Sequence, residues 1–207
     1  MSMQSALEAQ YQVTLARKQG GGEKSYTCHL YRAGLDKILK KCGEETFEAV
    51  IAAKGEDKAE TVGEINDVLY HVTVLLCQQE VSLAEAMEAL NLRCQTQGQP
   101  VDALYQIIAA RSREAVTEDG GHYTAYLFQQ GLDKILKKVG EACSLLLIAG
   151  KAGDREAMAR ETANLLYHLL AMMLAKGITP ADVEGELNRR SQKEGNLKQV
   201  HTSDQTT

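Results

Sequence analysis

Hydrophobic residues recur along the chain at intervals of three and four residues, which is the spacing of one face of an α-helix. One such stripe runs through Leu35, Ile38, Leu39 and Cys42, and similar stripes follow it along the chain. No stretch alternates apolar and polar residues in the manner of a half-buried strand. The pattern predicts an all-α fold.

Capping residues mark the ends of several of these helices. Ser25 is the predicted N-cap of a short helix that Gly34 closes, since serine accepts bonds from free N–H groups and glycine ends helices. Asp57 is the predicted N-cap of a later helix. Ser82 and Glu85 have the spacing of a capping box, in which each side chain bonds the other residue's backbone N–H. These signals place helix boundaries independently of the apolar stripes.

The chain contains an internal repeat. The octapeptide GLDKILKK begins at Gly34 and again at Gly131, 97 residues later, and the same offset joins the LYH sequences at 69–71 and 166–168. A duplication without gaps explains these matches and predicts two similar helical domains. The predicted divisions are a first repeat at 1–94, a linker at 95–101, a second repeat at 102–190 and a polar, disordered tail at 191–207.

The composition is typical of a globular protein and argues against a nucleic-acid surface. Hydrophobic residues make up 44% and charged residues 25% of the 207 residues, and the net charge is −5. Because phosphate backbones select basic surfaces, no nucleic-acid partner is expected. No apolar run reaches the length of about 18 residues that spans a bilayer, so no membrane partner is expected either.

The cysteines predict a reduced compartment. There are five of them, an odd number, and none has CxxC spacing, which argues against both a zinc site and a disulfide framework. The opening sequence MSMQSALEAQ lacks the charged flank and apolar core of a signal peptide. We therefore expect a cytoplasmic protein.

The first repeat carries an unusual acidic pattern. Glu45 and Glu48 are three residues apart, as are Glu64 and Asp67, so each pair shares one face of its helix. Two such helices packed antiparallel would bring four carboxylates together, an arrangement that is costly unless a cation neutralises them. Oxygen ligands in this number suit Mg²⁺ or Mn²⁺, with substrate phosphates sharing the coordination. The pattern indicates a metal-dependent phosphate site; the alternative is two helices with solvated glutamates.

The second repeat has lost most of this acidic pattern. Glu64 is matched by Glu161, but the other three positions are no longer acidic. The replacements are Ala142 for Glu45, Leu145 for Glu48 and Asn164 for Asp67. Because a solvated surface would more often drift to other polar residues, the apolar replacements favour a sheltered, concave site for the four carboxylates of the first repeat.

Two other features persist in both repeats. Lys137 and Lys138 survive where the acidic residues vanish, and one interpretation is that they bind a phosphorylated substrate held by the first repeat. The alternative is that they lie on the solvated polar face of a stable helix. His71 follows Asp67 by four residues and can bond to it or carry a proton. Because His168 persists beside the lost ligands, a packing role is the favoured interpretation.

The motifs resemble a known family. SYT, GLDKILKKCGEETFE, VIAAK and EINDVLYH are similar to phosphoribosyl-ATP pyrophosphohydrolase, a member of the all-α nucleoside-triphosphate pyrophosphohydrolases related to MazG and dimeric dUTPases. The resemblance covers about 6–93 and 103–190. Family members are usually single-copy chains that dimerise. The resemblance therefore implies two tandem MazG-like helical-bundle repeats forming a pseudo-dimer, in which the degenerate second repeat leaves one complete metal site.

The resemblance also implies a reaction, which is hydrolysis between the α and β phosphates of a nucleotide with release of pyrophosphate. The expected substrate is phosphoribosyl-ATP, converted to phosphoribosyl-AMP in histidine biosynthesis. A house-cleaning pyrophosphohydrolase of another nucleoside triphosphate and a non-catalytic nucleotide-binding or scaffold protein are the alternatives. The chain either pairs its own two halves or exchanges them with a second copy in a homodimer.

Residue roles follow from the same resemblance. Glu44 and Glu48 are the candidates for orienting or deprotonating the attacking water, and the choice between them stays open. The phosphate contacts implied by the resemblance are Lys40 or Lys41, while Lys137 and Lys138 are candidates from the repeat comparison alone. The implied Mg²⁺ ligands are Glu45, Glu48, Glu64 and Asp67, and Mn²⁺ is a possible substitute.

Overall fold

The computed structural model describes residues 2–20, 25–116 and 123–191, and this part of the chain contains ten α-helices and no strand. The all-α prediction is confirmed. From residue 192 onward, the tail expected to be disordered lies outside the described residues. The helices are α1 (Met3–Lys18), α2 (Tyr26–Ala33), α3 (Leu35–Lys54), α4 (Lys58–Gln78), α5 (Leu83–Arg93), α6 (Val101–Arg111), α7 (Tyr123–Gln129), α8 (Leu132–Ala152), α9 (Arg155–Ala175) and α10 (Pro180–Ser191).

The predicted caps are present. The side chain of Ser25 accepts a bond from the backbone N–H of Cys28 at the start of α2, and Gly34 ends that helix with a φ of 89°. This positive φ is a conformation that glycine adopts without the steric cost of a Cβ. Asp57 caps α4, and Ser82 forms the expected capping box with Glu85 at the start of α5.

The ten helices fall into two sets of five in the same order. Helices α3 and α4 form a long antiparallel hairpin in the first repeat, and α8 and α9 form its counterpart in the second. The linker between the sets is held by Asn91, whose side chain donates to the carbonyl of Gln99 and accepts from its N–H. The prediction of two tandem repeats is confirmed.

The two repeats interlock within the chain. Helix α3 packs on α8, while α5 of the first repeat packs on α9 of the second and α10 of the second packs on α4 of the first. Each repeat thus places its last helix on the long hairpin of the other. An ion pair of 2.6 Å joins Lys54 to Asp133, and the equivalent residues Lys151 and Asp36 pair on the other side of the interface. The matched pairs give the interface the two-fold character expected of a pseudo-dimer.

One apolar core runs through both repeats. Its fully buried side chains include Ile38 and Leu75 of the first repeat and Ile135 and Leu146 of the second. The repeats pack closely at Gly150, where an added Cβ would lie 3.0 Å from the side chain of Leu39. Such close packing leaves little room for larger residues at this crossing.

The cysteines and the lengths of the helices bear on two of the sequence predictions. All five cysteines are free thiols in buried positions. Among the described residues, no helix has the length and apolar content needed to cross a bilayer.

Candidate functional site

The antiparallel hairpin of α3 and α4 brings the predicted acidic residues together. One carboxylate oxygen from each of Glu45, Glu48 and Glu64 lies within 4.8 Å of the others. Glu45 also forms a second cluster of this kind with Asp67 and His71. Glu45 and Asp67 are buried, with 3% and 7% of their surface exposed, while Glu64 is half-buried. The structure therefore gathers the four predicted metal ligands in two groups that share Glu45.

Glu48 departs from the prediction that all four positions are sheltered. Its own side chain is exposed, and its counterpart Leu145 is 49% exposed, whereas the counterpart of Glu45, Ala142, is buried. The prediction of shelter is wrong for this position. Residues three apart on a helix differ by about 60° around its axis, which is enough to move from the interior to the solvent edge. Glu48 consequently lies at the edge of the site that solvent and substrate can reach.

His71 lies deep in the same site with 1% of its surface exposed. Its Nδ1 atom is 2.9 Å from the backbone carbonyl oxygen of Asp67 and 3.9 Å from a carboxylate oxygen of Glu45. His168 makes the same backbone contact, with Nδ1 2.7 Å from the carbonyl oxygen of Asn164. The shared contact accounts for the retention of histidine in both repeats, and the proximity to a carboxylate is specific to His71.

The predicted phosphate-binding lysines of the first repeat border the acidic cluster. Lys41 Nζ lies 2.9 Å from Glu44 and 3.8 Å from Glu45, and Lys40 Nζ lies 3.5 Å from Glu44. Burial alone would raise the pKa of Glu44, but the ammonium groups of Lys41 and Lys40 outweigh it and hold that pKa below its ordinary value. Glu44 is therefore an ionised partner of the two lysines at neutral pH.

The predicted lysines of the second repeat have a different setting. Lys137 and Lys138 contact Glu141 of their own helix at 3.7 Å and 2.6 Å. Among the ion pairs of the described residues, none joins either lysine to a carboxylate of the first repeat. A contact between these lysines and a substrate in the first repeat stays a prediction.

The second repeat instead contributes Arg190, a residue that sequence reasoning missed. Its Nη1 atom lies 2.8 Å from Asp67 Oδ1, and its Nη2 atom donates to Asp67 Oδ2 at 3.2 Å and to the carbonyl oxygen of Gly63 at 3.1 Å. Its Nε atom donates to Glu186 at 2.6 Å. This guanidinium is positioned by α10, which packs on α4 of the other repeat. The available signal was an arginine in the last turn of the final helix of each repeat, Arg93 in the first and Arg190 in the second.

The equivalent position in the second repeat also receives an arginine from the other repeat, but the arginine contacts a neutral amide instead of a carboxylate. Arg93, from α5 of the first repeat, donates to Asn164 Oδ1 at 2.6 Å and lies 4.3 Å from the ring centre of Tyr167. The Nδ2 atom of Asn164 donates to Glu161 at 2.6 Å. Each repeat thus receives an arginine from the other, but only the first offers it a carboxylate.

The donor set of the first site fits a divalent cation. Four carboxylates converge from two helices, and two of them, Glu45 and Asp67, are removed from solvent. Crowding of like charges is unfavourable without a neutralising partner, and several hard oxygen donors in a small space suit Mg²⁺. The second repeat lacks such a set, because Ala142 and Leu145 stand at two of the ligand positions.

Comparison with known proteins agrees with this geometry. The family described as phosphoribosyl-ATP pyrophosphohydrolase matches the chain twice, over residues 9–93 and 101–191. The chain belongs to this family. The family resemblance of the motifs is thereby confirmed, and the double match agrees with the tandem repeats of the structure.

Relatives in the phosphoribosyl-ATP pyrophosphohydrolase family are similar to the chain over one repeat length. The phosphoribosyl-ATP pyrophosphatase of Clostridium novyi is 47% identical over 87 residues, covering 42% of this chain and 79% of that protein. The enzyme of the same name from Streptococcus gordonii is 53% identical over 87 residues, covering 42% and 84%. The histidine biosynthesis bifunctional protein HisIE of Lactococcus lactis is 50% identical over 82 residues, covering 40% and 39%. No solved structure matches the chain.

Proposed function

We propose that this chain is a Mg²⁺-dependent pyrophosphohydrolase that cleaves phosphoribosyl-ATP between its α and β phosphates, giving phosphoribosyl-AMP and pyrophosphate in histidine biosynthesis. The observation that carries the proposal is the convergence of Glu45, Glu48, Glu64 and Asp67 on one hairpin. The names of the relatives from C. novyi and S. gordonii support the choice of substrate.

The metal would be held by the four carboxylates, with Mn²⁺ as a substitute. Bound there, a divalent cation neutralises charge on phosphate oxygens and lowers the pKa of a coordinated water. Glu45 and Asp67 form the buried part of the set, which keeps it rigid, and Glu48 and Glu64 form its more accessible part.

Glu48 is the better candidate for the base that activates water. It is exposed at the edge of the site, where both water and substrate have access. The lowered pKa of Glu44 makes that carboxylate a weaker base, and its contacts with Lys41 and Lys40 occupy it in ion pairing. We assign Glu44 the role of positioning the two lysines.

Three cations near the acidic cluster support the proposal that phosphates bind there. Lys40 and Lys41 border the acidic cluster from α3, and Arg190 approaches it from the second repeat. Guanidinium groups bind phosphate oxygens in pairs, so Arg190 would be suited to orient the phosphate chain if Asp67 served as a metal ligand. Arg190 makes the active site dependent on both repeats.

Lys137 and Lys138 correspond to Lys40 and Lys41 by the repeat offset. Because no ion pair among the described residues joins either lysine to a carboxylate of the first repeat, we propose that the pair serves the second repeat and not the active site. Changing both lysines to Ala is expected to leave the KM for phosphoribosyl-ATP unchanged. A raised KM with unaltered thermal stability would restore the interpretation that they contact the substrate.

The test is release of pyrophosphate by the purified full-length chain. With Mg²⁺ present, phosphoribosyl-ATP should be the preferred substrate over dUTP and other nucleoside triphosphates. The Glu45→Gln variant should lose activity, whereas Glu141→Gln, which alters an exposed glutamate of the second repeat, should retain it. An inactive parent chain, or equal activity of the Glu45→Gln variant, would contradict the proposal.

The setting of the enzyme completes the proposal. We propose a cytoplasmic location, supported by the five free, buried thiols. We also propose that one chain forms the functional unit, because its two repeats already pack as a pseudo-dimer. Light scattering coupled to size-exclusion chromatography measures the mass of the protein in solution. The mass of a single chain would support this arrangement, and a stable two-chain species would contradict it.

A further inference from the structure

We propose that the second repeat holds a metal-independent binding site for a small phosphate-bearing anion. The site is a cavity of about 380 Å³ beside Arg93, the counterpart of Arg190. Its lining residues are Arg93, Gln95, Arg111, Tyr123, Thr124 and Tyr167. The proposal does not depend on the activity of the first repeat.

Arg93 supplies the first positive charge of this cavity. Its guanidinium lies over the ring of Tyr167 and donates to the neutral amide oxygen of Asn164. Among the described residues, no carboxylate lies within ion-pair distance of Arg93, and its buried Nε atom has no hydrogen-bond partner. A half-buried guanidinium with an unused donor favours an anionic partner.

The absence of a compensating charge reflects a difference between the repeats. In the first site, Asp67 and Glu186 neutralise the equivalent arginine, Arg190. The residues that correspond to Asp67 and Glu186 are Asn164 and Ala89, neither of which carries a charge. The second site has therefore kept its arginine and lost both of the carboxylates that would balance it.

Arg111 adds a second guanidinium to the same cavity. It is half-buried on α6, and within the described part of the chain it forms no ion pair. Its counterpart by the repeat offset is Thr14, and the first repeat instead places Arg17 against Thr27, the counterpart of Thr124, at 2.9 Å. Two guanidiniums on one small cavity match the charge and the paired oxygens of a phosphate or pyrophosphate group.

The other titratable groups near the cavity do not cancel this charge. Glu161 is paired with Arg160 at 3.2 Å, and Glu141 is paired with Lys138 at 2.6 Å. His168 is neutral at physiological pH, because burial and then the charge of Arg93 lower its pKa to about 4. The described residues thus give the cavity a net positive charge near neutral pH.

The contrast with the first repeat gives the proposal a specific signature. Without metal, the carboxylates of the first site repel an anion, so chelation should abolish anion binding there. Among the described residues, the lining of the second cavity includes no carboxylate and offers two guanidiniums instead. Binding that persists in a chelator and is weakened by a change at Arg111 therefore belongs to the second cavity.

The test is calorimetric titration of the full-length chain with sodium pyrophosphate in the presence of EDTA. One pyrophosphate should bind per chain, and Arg111→Ala should weaken binding by about ten- to hundredfold through loss of charge-assisted hydrogen bonds. The matched control is Arg113→Ala, which removes the same charge from an exposed position two residues away and should leave binding unchanged. Glu45→Gln in the first repeat should also leave it unchanged.

Clear outcomes would overturn the proposal. These are the absence of binding to the parent chain in EDTA, and an equal loss in Arg111→Ala and Arg113→Ala, which would indicate a general charge effect. If Arg111→Ala does not fold, Arg111→Lys can be tested in its place. This variant keeps the positive charge but lacks the planar guanidinium that donates paired hydrogen bonds. That variant should bind more weakly than the parent chain, and parent-like binding would contradict recognition by paired hydrogen bonds.

Discussion

Arg190, at the end of the second repeat, forms an ion pair with Asp67 of the first repeat. Two of its nitrogen atoms lie 2.8 Å and 3.2 Å from the two carboxylate oxygens. The pairing joins residues 123 positions apart in the sequence. It places a cation directly on a proposed metal ligand. In the absence of metal, Arg190 is one source of the positive charge that the buried carboxylate requires.

We predict that Arg190→Ala separates substrate binding from metal binding. The KM for phosphoribosyl-ATP should rise about tenfold or more, because a phosphate contact is lost. Mg²⁺ should bind more tightly by calorimetry, since Arg190 no longer competes for Asp67. The neighbouring change Arg189→Ala, which removes an exposed arginine paired with Glu186, should affect neither. Weaker Mg²⁺ binding by Arg190→Ala would show that this arginine only holds the site together.

A second prediction distinguishes the two candidate bases. Glu48→Gln should lower kcat by about 10²- to 10⁴-fold if this carboxylate deprotonates the water. Glu44→Gln should chiefly raise KM, because Lys41 and Lys40 lose the partner that positions them. Saturation with Mg²⁺ provides the control, since it would rescue a variant that has lost only metal affinity. Full rescue of Glu48→Gln would leave Glu48 as a ligand and remove it as the base.

A third prediction concerns the packing between the repeats. Gly150→Val should destabilise the chain by about 1–3 kcal/mol, because the new side chain would meet Leu39 and Leu75. Gly140→Val, in the same helix with no atom within 4 Å of an added Cβ, should change stability by less than about 0.5 kcal/mol. Urea unfolding of both variants measures the difference. Equal free energies of unfolding for the two variants would contradict close packing between the repeats at Gly150.

A fourth prediction follows from His168. Its pKa is about 4 in the folded chain, against 6.5 for an unperturbed histidine, so the unfolded state takes up a proton first as the pH falls. This histidine should therefore cost about 2 kcal/mol of stability between pH 7.5 and pH 5. His168→Gln should remove that part of the pH dependence in urea unfolding. An unchanged pH profile in the variant would contradict the assignment.

The sequence was sufficient for the helices and for most of the acidic site. Helix periods and caps such as Ser25 and Asp57 depend on neighbours a few residues away, so they can be recognised locally. To predict that Glu45 and Asp67 lie close together, it was also necessary to assume an antiparallel hairpin. The comparison of the repeats supported that assumption. Sequence patterns therefore predicted those parts of the site that lie on the single hairpin of α3 and α4.

The features that escaped prediction depend on how the repeats pack. Arg190 approaches Asp67 only because α10 crosses to the other repeat, and no local pattern encodes that crossing. The exposure of Glu48 depends on which part of α3 is covered by its neighbours, which the replacement by Leu145 did not reveal. Both are properties of the tertiary arrangement.

The exchange of last helices between the repeats has an evolutionary consequence. Loss of three of its four acidic positions would normally free a duplicated domain to decay. Here the degenerate copy still supplies α10 to the intact hairpin, so selection for the chemistry of one half also preserves the end of the other. The positions of the second repeat that drift freely should be those around its own former ligands, and this is where a new ligand preference can arise without cost to the original reaction.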